Sequence, residues 1–421
     1  MISGTALLAQ PARYYFEHLN TEDGLSQNDV NCILQDRRGF MWFGTNDGLN
    51  RYDGYDFLLY KPNENVAGTI ISNLIQELEE DHLGRIWIGT AGAGISCFNP
   101  MNQQFVNFKD LRDPNFRLRS DFILNIFEDS KQRLWVTTAK GIHLFQTNGD
   151  LAVDVNSVQN ITDQAIPDQF KSRRVEGIYE DQQGTIWVGC QPGLYKLSEP
   201  AHPDSTFKFS AVIPRIPVRS IIQGPEGSML VGSPNGLFIV SSQVKGKYQP
   251  QRIQYGPHER MLFLGKNLWT TSDLGLSQFS WDANTDKFVF ENLYTSDLGD
   301  FHSLNKTVLR TIYGDREGII WIGTNGGGIN KFEPEQKTFF HYKKTLEPGS
   351  ISYDKIRSIY EDSEENLWVG TEGGGLNFLP KEDADQGNFD RFSHLAKPSY
   401  VFSQVEYQQG NQRYMLLGGQ T

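Results

Sequence analysis

The sequence predicts an all-β protein, a β-propeller, and three observations carry that prediction. Seven of the eight tryptophans, Trp42, Trp87, Trp135, Trp187, Trp269, Trp321 and Trp368, stand in one recurring frame, 45 to 52 residues apart save for one gap of 82. Around each tryptophan a short β-rich run leads through a glycine-rich turn to a second apolar run, with a period of two and never of 3.6. Repeats of this length holding four strands each match a propeller blade, and not a helical solenoid or a β-helix.

The strands follow in order within one repeat. Residues 30–36 read as the innermost strand, 40–45 as the second, 49–53 as the third and 56–60 as the outer one. The turn between the first two is written Asp36-x-x-Gly39-x-x-Trp42, and it recurs at Asp81, Gly84 and Trp87, at Asp181, Gly184 and Trp187, and at Asp315, Gly318 and Trp321. An aspartate opening a tight turn bonds nearby backbone N–H groups, and a glycine three residues on accepts the left-handed conformation that closes a bulged hairpin. Trp then opens the returning strand and packs between neighbouring blades. Glycines two residues past the tryptophan slot, such as Gly44, Gly89 and Gly323, let adjacent backbones approach closely.

The gap of 82 hides a degenerate copy in which Leu230 takes the tryptophan slot, and a partial ninth copy begins near Tyr400. Residues 15–19 read as an outer strand that precedes the first complete repeat. Such a strand completes a blade whose inner strands come from the end of the ring, and pairing with the seventh repeat closes a seven-bladed propeller near residue 335. Residues 336–421 then form the first blades of a second, incomplete propeller, with 339–342 as its own latch strand, and the chain reads as a fragment. A single eight-bladed ring is the alternative. Residues 1–12 read as the remnant of a secretory signal or as a disordered terminus.

Composition narrows the function. The chain carries 39 basic and 51 acidic residues, a net charge of -12, which denies it the cationic footprint that nucleic-acid binding needs. Three cysteines, Cys32, Cys97 and Cys190, lack metal or disulfide spacing and read as small buried apolar residues. No apolar stretch is long enough to span a bilayer. Eight dispersed histidines show no metal-ligand pattern, Gly326-Gly327-Gly328 and Gly373-Gly374-Gly375 are turns with no helix start behind them, and nothing calls for a cofactor.

The repeated residues carry a family resemblance. Thr21-Glu22-Asp23-Gly24-Leu25-Ser26-Gln27-Asn28, then Asp36-Arg37-Arg38-Gly39-Phe40-Met41-Trp42-Phe43-Gly44-Thr45 and Asp47-Gly48-Leu49-Asn50-Arg51-Tyr52-Asp53-Gly54, resemble the two-component regulator propeller repeat, found in the sensor region of Bacteroidetes hybrid two-component systems. The resemblance covers the chain after residue 12, and only the copies around Leu230 and Trp269 lack the turn aspartate. It implies a periplasmic sensor, part of an inner-membrane receptor, in which a second propeller, a membrane helix and a histidine kinase follow. It further implies a homodimer, an oligosaccharide ligand and a signal that activates polysaccharide-degradation genes. Kinase activity would reside outside this segment.

An enzymatic propeller is the competing class. The turn motif fits neither sialidase-type nor quinoprotein-type propellers, whose aspartate and glycine are spaced differently. Carboxylate pairs at Glu80-Asp81, Glu128-Asp129, Glu180-Asp181 and Glu361-Asp362 have the look of glycosidase groups, but a catalytic pair is unique and these recur, so they read as turns. A non-catalytic interaction scaffold is the third class. As candidate ligand contacts the sequence offers an arc of arginines in loops of one propeller face: Arg112, Arg117 and Arg119 with Lys109, then Arg173 and Arg174 with Lys171, then Arg219. Such an arc clamps carboxylates or sulfates of an acidic oligosaccharide, docks against the second propeller, or forms solvated loops.

Overall fold

The computed structural model describes residues 14–108, 118–147, 158–160, 174–191, 193–198, 207–244, 247–334, 342–385, 388–389, 391–395, 398–410 and 412–420. The chain divides into two compact units, Met1–Glu335 and Gln336–Thr421.

Alternating apolar residues and turn glycines produce seven four-stranded antiparallel sheets among the described residues of the first unit. The first contains Val30–Gln35, Met41–Thr45, Gly48–Tyr52 and Phe57–Tyr60, within a residue of the strands read from the sequence. Each innermost strand lies against the next, from Val30–Gln35 to Ile75–Glu80 and onward to Leu309–Gly314, which lies against Val30–Gln35 again. The sheets are thus the blades of a ring. In the last sheet the fourth strand is Glu17–Leu19, paired antiparallel with Ile329–Phe332, so that the two ends of the unit are hydrogen-bonded together.

The core sits between blades. Trp42 is fully buried against Ile75, Ile86 and Phe98 of the next blade, and Trp321 packs on Val30, Ile33 and Phe43 across the closure. Six of the tryptophans are fixed by the aspartate six residues before them. Trp42 Nε1 donates to Asp36 Oδ2 at 2.9 Å, and the same bond recurs at 2.7–2.8 Å for Trp87, Trp135, Trp187, Trp321 and Trp368. The other carboxylate oxygen accepts the backbone N–H groups two and four residues on, as Asp36 Oδ1 does from Arg38 and Phe40. Gly39 takes φ 93° in that turn, as expected. Blade six departs for a mechanical reason: its hairpin closes through Gly265 and Lys266 alone, which leaves no turn for an aspartate, and Trp269 Nε1 is buried without a hydrogen-bond partner.

The last residue of the innermost strand joins neighbouring blades at five places. Glu80 accepts the backbone N–H of Arg37, Glu128 that of His82, Glu180 that of Ser130 and Gln223 that of Gln182. Gln35 accepts from Arg316 at 3.0 Å and carries the same joint across the closure. The carboxylate pairs Glu80-Asp81, Glu128-Asp129 and Glu180-Asp181 are therefore fastenings. The glycine two residues past Trp42, Trp87, Trp187 and Trp321 makes room for the next blade: a Cβ on Gly323 would meet Val30 O at 2.7 Å, whereas on Gly44 it would meet the Ile75 side chain at 2.5 Å. Backbone approach is thus the reason at the closure and side-chain approach at the first joint. All three cysteines are buried and none is in a disulfide.

In the second unit Ile356–Glu361, Leu367–Thr371, Leu376–Leu379 and Ser393–Leu395 form one four-stranded sheet, followed by the hairpin of Tyr400–Gln409 and Gln412–Gln420. Glu406 accepts Ser363 N and Oγ at 2.9 Å, the same joint as in the ring. The latch strand expected at 339–342 lies, apart from Tyr342, outside the described residues.

Asp81→Ala removes its carboxylate from the fully buried guanidinium of Arg85 as well as from the turn and Trp87. We expect it to cost about 3–5 kcal/mol. Asp181→Ala, where Thr185 replaces the arginine, should cost about 1–3 kcal/mol. Urea unfolding checks the ranking, and equal losses would contradict it.

Candidate functional site

At the axis of the ring the innermost strands share a local irregularity. Five of them shift register at their second residue, which leaves Asn31, Gln76, Leu124, Glu176 and Arg310 as bulges. A β-bulge leaves one residue without a cross-strand partner and re-aims its side chain. All five line one cavity of about 430 Å³ at the mouth of the axial channel, on the face formed by loops from outer to inner strands and from second to third strands.

The mouth is polar and internally paired. Glu176 Oε1 accepts Arg174 Nε at 2.5 Å and Arg219 Nη1 at 2.7 Å, and Arg219 Nε stands 3.5 Å from Glu259. Arg310 Nη2 donates to Asn325 Oδ1 at 2.9 Å, and Asn31 Nδ2 donates to Asn46 Oδ1 and Ile75 O. Phe122 contributes a partly exposed ring, with the Arg174 guanidinium 5.9 Å from its centre.

Of the arginines singled out in the sequence, Arg174 lines the mouth and Arg219 reaches its edge through Glu176. Arg119 is exposed in the loop before the third blade, where its backbone N–H donates to His143 Nε2 at 3.3 Å, and it does not line the cavity. Arg112, Arg117 and Arg173, with Lys109 and Lys171, lie outside the described residues. The charges of Arg174 and Arg219 are answered within the chain, so the geometry around them is that of an ion-pair cluster. Gln76, Glu176, Arg260 and Arg310 were not anticipated. For Gln76, Glu176 and Arg310 the signal in the sequence is a slot that varies from repeat to repeat between constant aliphatic neighbours.

Below the mouth a second cavity of about 240 Å³ continues along the axis, with Arg260 common to both. Arg260 Nη2 lies 3.3 Å from Glu77 Oε2. Burial pushes Glu79 up from 4.5 to about 8, and the carboxylates of Glu77, Glu128 and Asp81 add to the shift although Glu128 N donates to it. Burial likewise raises Glu77, against the pull of Arg260. Among the described residues no group of three or more His, Cys, Asp and Glu is placed to hold a metal.

The fold and this mouth define a β-propeller with a polar axial site. Four segments, residues 24–47, 169–191, 303–326 and 350–373, match the two component regulator propeller family, and the chain carries that family's repeats. The fold is similar to the extracellular domain of a hybrid two component system of B. thetaiotaomicron, with a TM-score of 0.61 and 23% identity, covering 97% of this chain and 58% of that domain. It is also similar to a second such domain from B. thetaiotaomicron, with a TM-score of 0.53, 18% identity and coverage of 96% and 58%. Virginiamycin B lyase from Staphylococcus aureus shares the fold with a TM-score of 0.54 and 13% identity over 76% of this chain and 99% of the lyase. A stretch of 58 residues, 14% of this chain, is 45% identical to histidine kinase P4 of Formosa agariphila and spans 4% of that kinase.

Glu79 generates a pH prediction. The folded chain holds a proton on Glu79 between pH 4.5 and about 8 that the unfolded chain has released, so its contribution to stability is lost as pH rises through that window. Glu79→Gln should gain stability relative to the parent as pH rises from about 5 to about 8.5. Thermal unfolding across the range measures this, and a constant difference would contradict it.

Proposed function

We propose that the chain is the extracytoplasmic ligand-sensing segment of a hybrid two-component histidine kinase. The observation that carries the reading is the pairing of two component regulator propeller repeats with a fold similar over 97% of the chain to an extracellular domain of such a system. In this reading the first ring holds an oligosaccharide at its axial mouth, and the second unit opens a second propeller. The membrane helix and kinase follow in the same polypeptide, the receptor is a homodimer in the inner membrane, and this segment faces the periplasm. An oligosaccharide with unequal affinity for two arrangements of the dimer shifts their populations, and the kinase reads the shift.

The lyase likeness supplies the competing reading. A catalytically inactive histidine-to-alanine variant of that enzyme has been crystallised with quinupristin. No histidine lines the mouth here among the described residues, and Glu176 and Glu259 at the mouth are held in ion pairs with arginines. Calorimetric titration of the full-length protein with neutral and acidic oligosaccharides, followed by chromatography of each mixture, tests the choice. Binding of one sugar class with chain length unchanged is expected. Cleavage would overturn the sensor reading.

A further inference from the structure

We infer that the bulge positions of the innermost strands form the specificity-determining ring of the first propeller, and that the ring reads the end of a neutral, hydroxyl-rich glycan. This rests on the sensor reading above and names the ligand class and the residues that select it.

The argument starts from what is constant. Before each bulge stands a buried aliphatic residue, Val30, Ile75, Ile123, Val175 or Leu309, and two residues after it stands another, Ile33, Leu78, Ile126, Ile178 or Ile312. Packing between blades fixes these neighbours, and it fixes them alike in every bulged blade. The bulge residue escapes that constraint, and there the chain writes Asn31, Gln76, Leu124, Glu176 and Arg310. If the slot served only to close blades, one residue type would suffice throughout. Five different side chains converging on one cavity are instead what recognition of an asymmetric ligand requires.

Charge then selects the ligand class. The guanidinium groups lining the mouth, Arg174, Arg260 and Arg310, are matched by three carboxylates, Glu176, Glu259 and Asp273. A sulfated or uronic chain would meet those carboxylates and compete with Glu176 for Arg174. A sugar hydroxyl both donates and accepts, so alternating guanidinium, carboxylate and amide groups suit vicinal hydroxyls. The exposed face of Phe122 offers an apolar surface for the C–H face of a sugar ring. A cavity of about 430 Å³ falls within the size of small-ligand sites and admits the end of a chain, not its length.

The test uses the full-length protein and two sets of probes. The neutral set is di- to octasaccharides of glucose, mannose, galactose, xylose and arabinose, and the acidic set is galacturonate and sulfated galactose oligosaccharides. Affinities are measured for the parent, Gln76→Ala, Arg310→Ala and Leu124→Arg, with a thermal melt of each. We expect a neutral probe to bind and each variant to lose about tenfold or more in affinity with an unchanged melt. Preference for the acidic set would overturn the neutral class, and a neutral probe that binds all variants equally would overturn the bulge ring. Either result leaves the sensor reading intact. Silence from both sets would overturn the inference and the oligosaccharide reading together.

Discussion

The bond from a tryptophan indole to the aspartate six residues earlier is the constraint on which the rest depends. One carboxylate satisfies the hairpin turn with one oxygen and orients the indole with the other. The indole in turn fills the space between blades. Because the fastening is local in sequence, each blade specifies its own hairpin. Because the indole packs on the following blade, each hairpin also sets the position of its neighbour. The last residue of the innermost strand extends this across five of the seven joints, including the bond from Arg316 N to Gln35 that joins the last blade to the first.

Repetition of that fastening explains why the fold was legible. The spacing of Trp42, Trp87, Trp135 and their counterparts gave the blades, and the aspartate and glycine gave the turns. The outer strand read at 15–19 is seen as Glu17–Leu19 on the last blade. The indole-to-carboxylate bond itself was not read, because the pattern exposes the spacing of the two residues and not the direction of a side chain. Blade six shows the same logic by exception: with a two-residue hairpin the aspartate has no place, and the buried indole of Trp269 goes without a partner.

The candidate site was less legible, and for a physical reason. A cluster of basic residues in loops is visible in one dimension, whereas a bulge is a property of how two strands pair. Arg174 was found because it adjoins the loop, but Arg260 and Arg310 lie at strand starts and look like ordinary strand residues until register is known. Nor does charge in a sequence reveal its partner: Arg174 and Arg219 both converge on Glu176. Of the arc of loop arginines, Arg112, Arg117 and Arg173 lie outside the described residues, and the geometry at the mouth balances positive against negative.

The central claim is that the axial mouth, framed by the bulges, is where ligand binding occurs. Hydrogen exchange of the full-length protein, with and without a digest of neutral polysaccharides, measures this along the whole chain at once. The account predicts slowed exchange at the amides around Asn31, Gln76, Leu124, Glu176 and Arg310, with the outer strands unchanged. Protection confined to the outer strands or to the opposite face of the ring would contradict it.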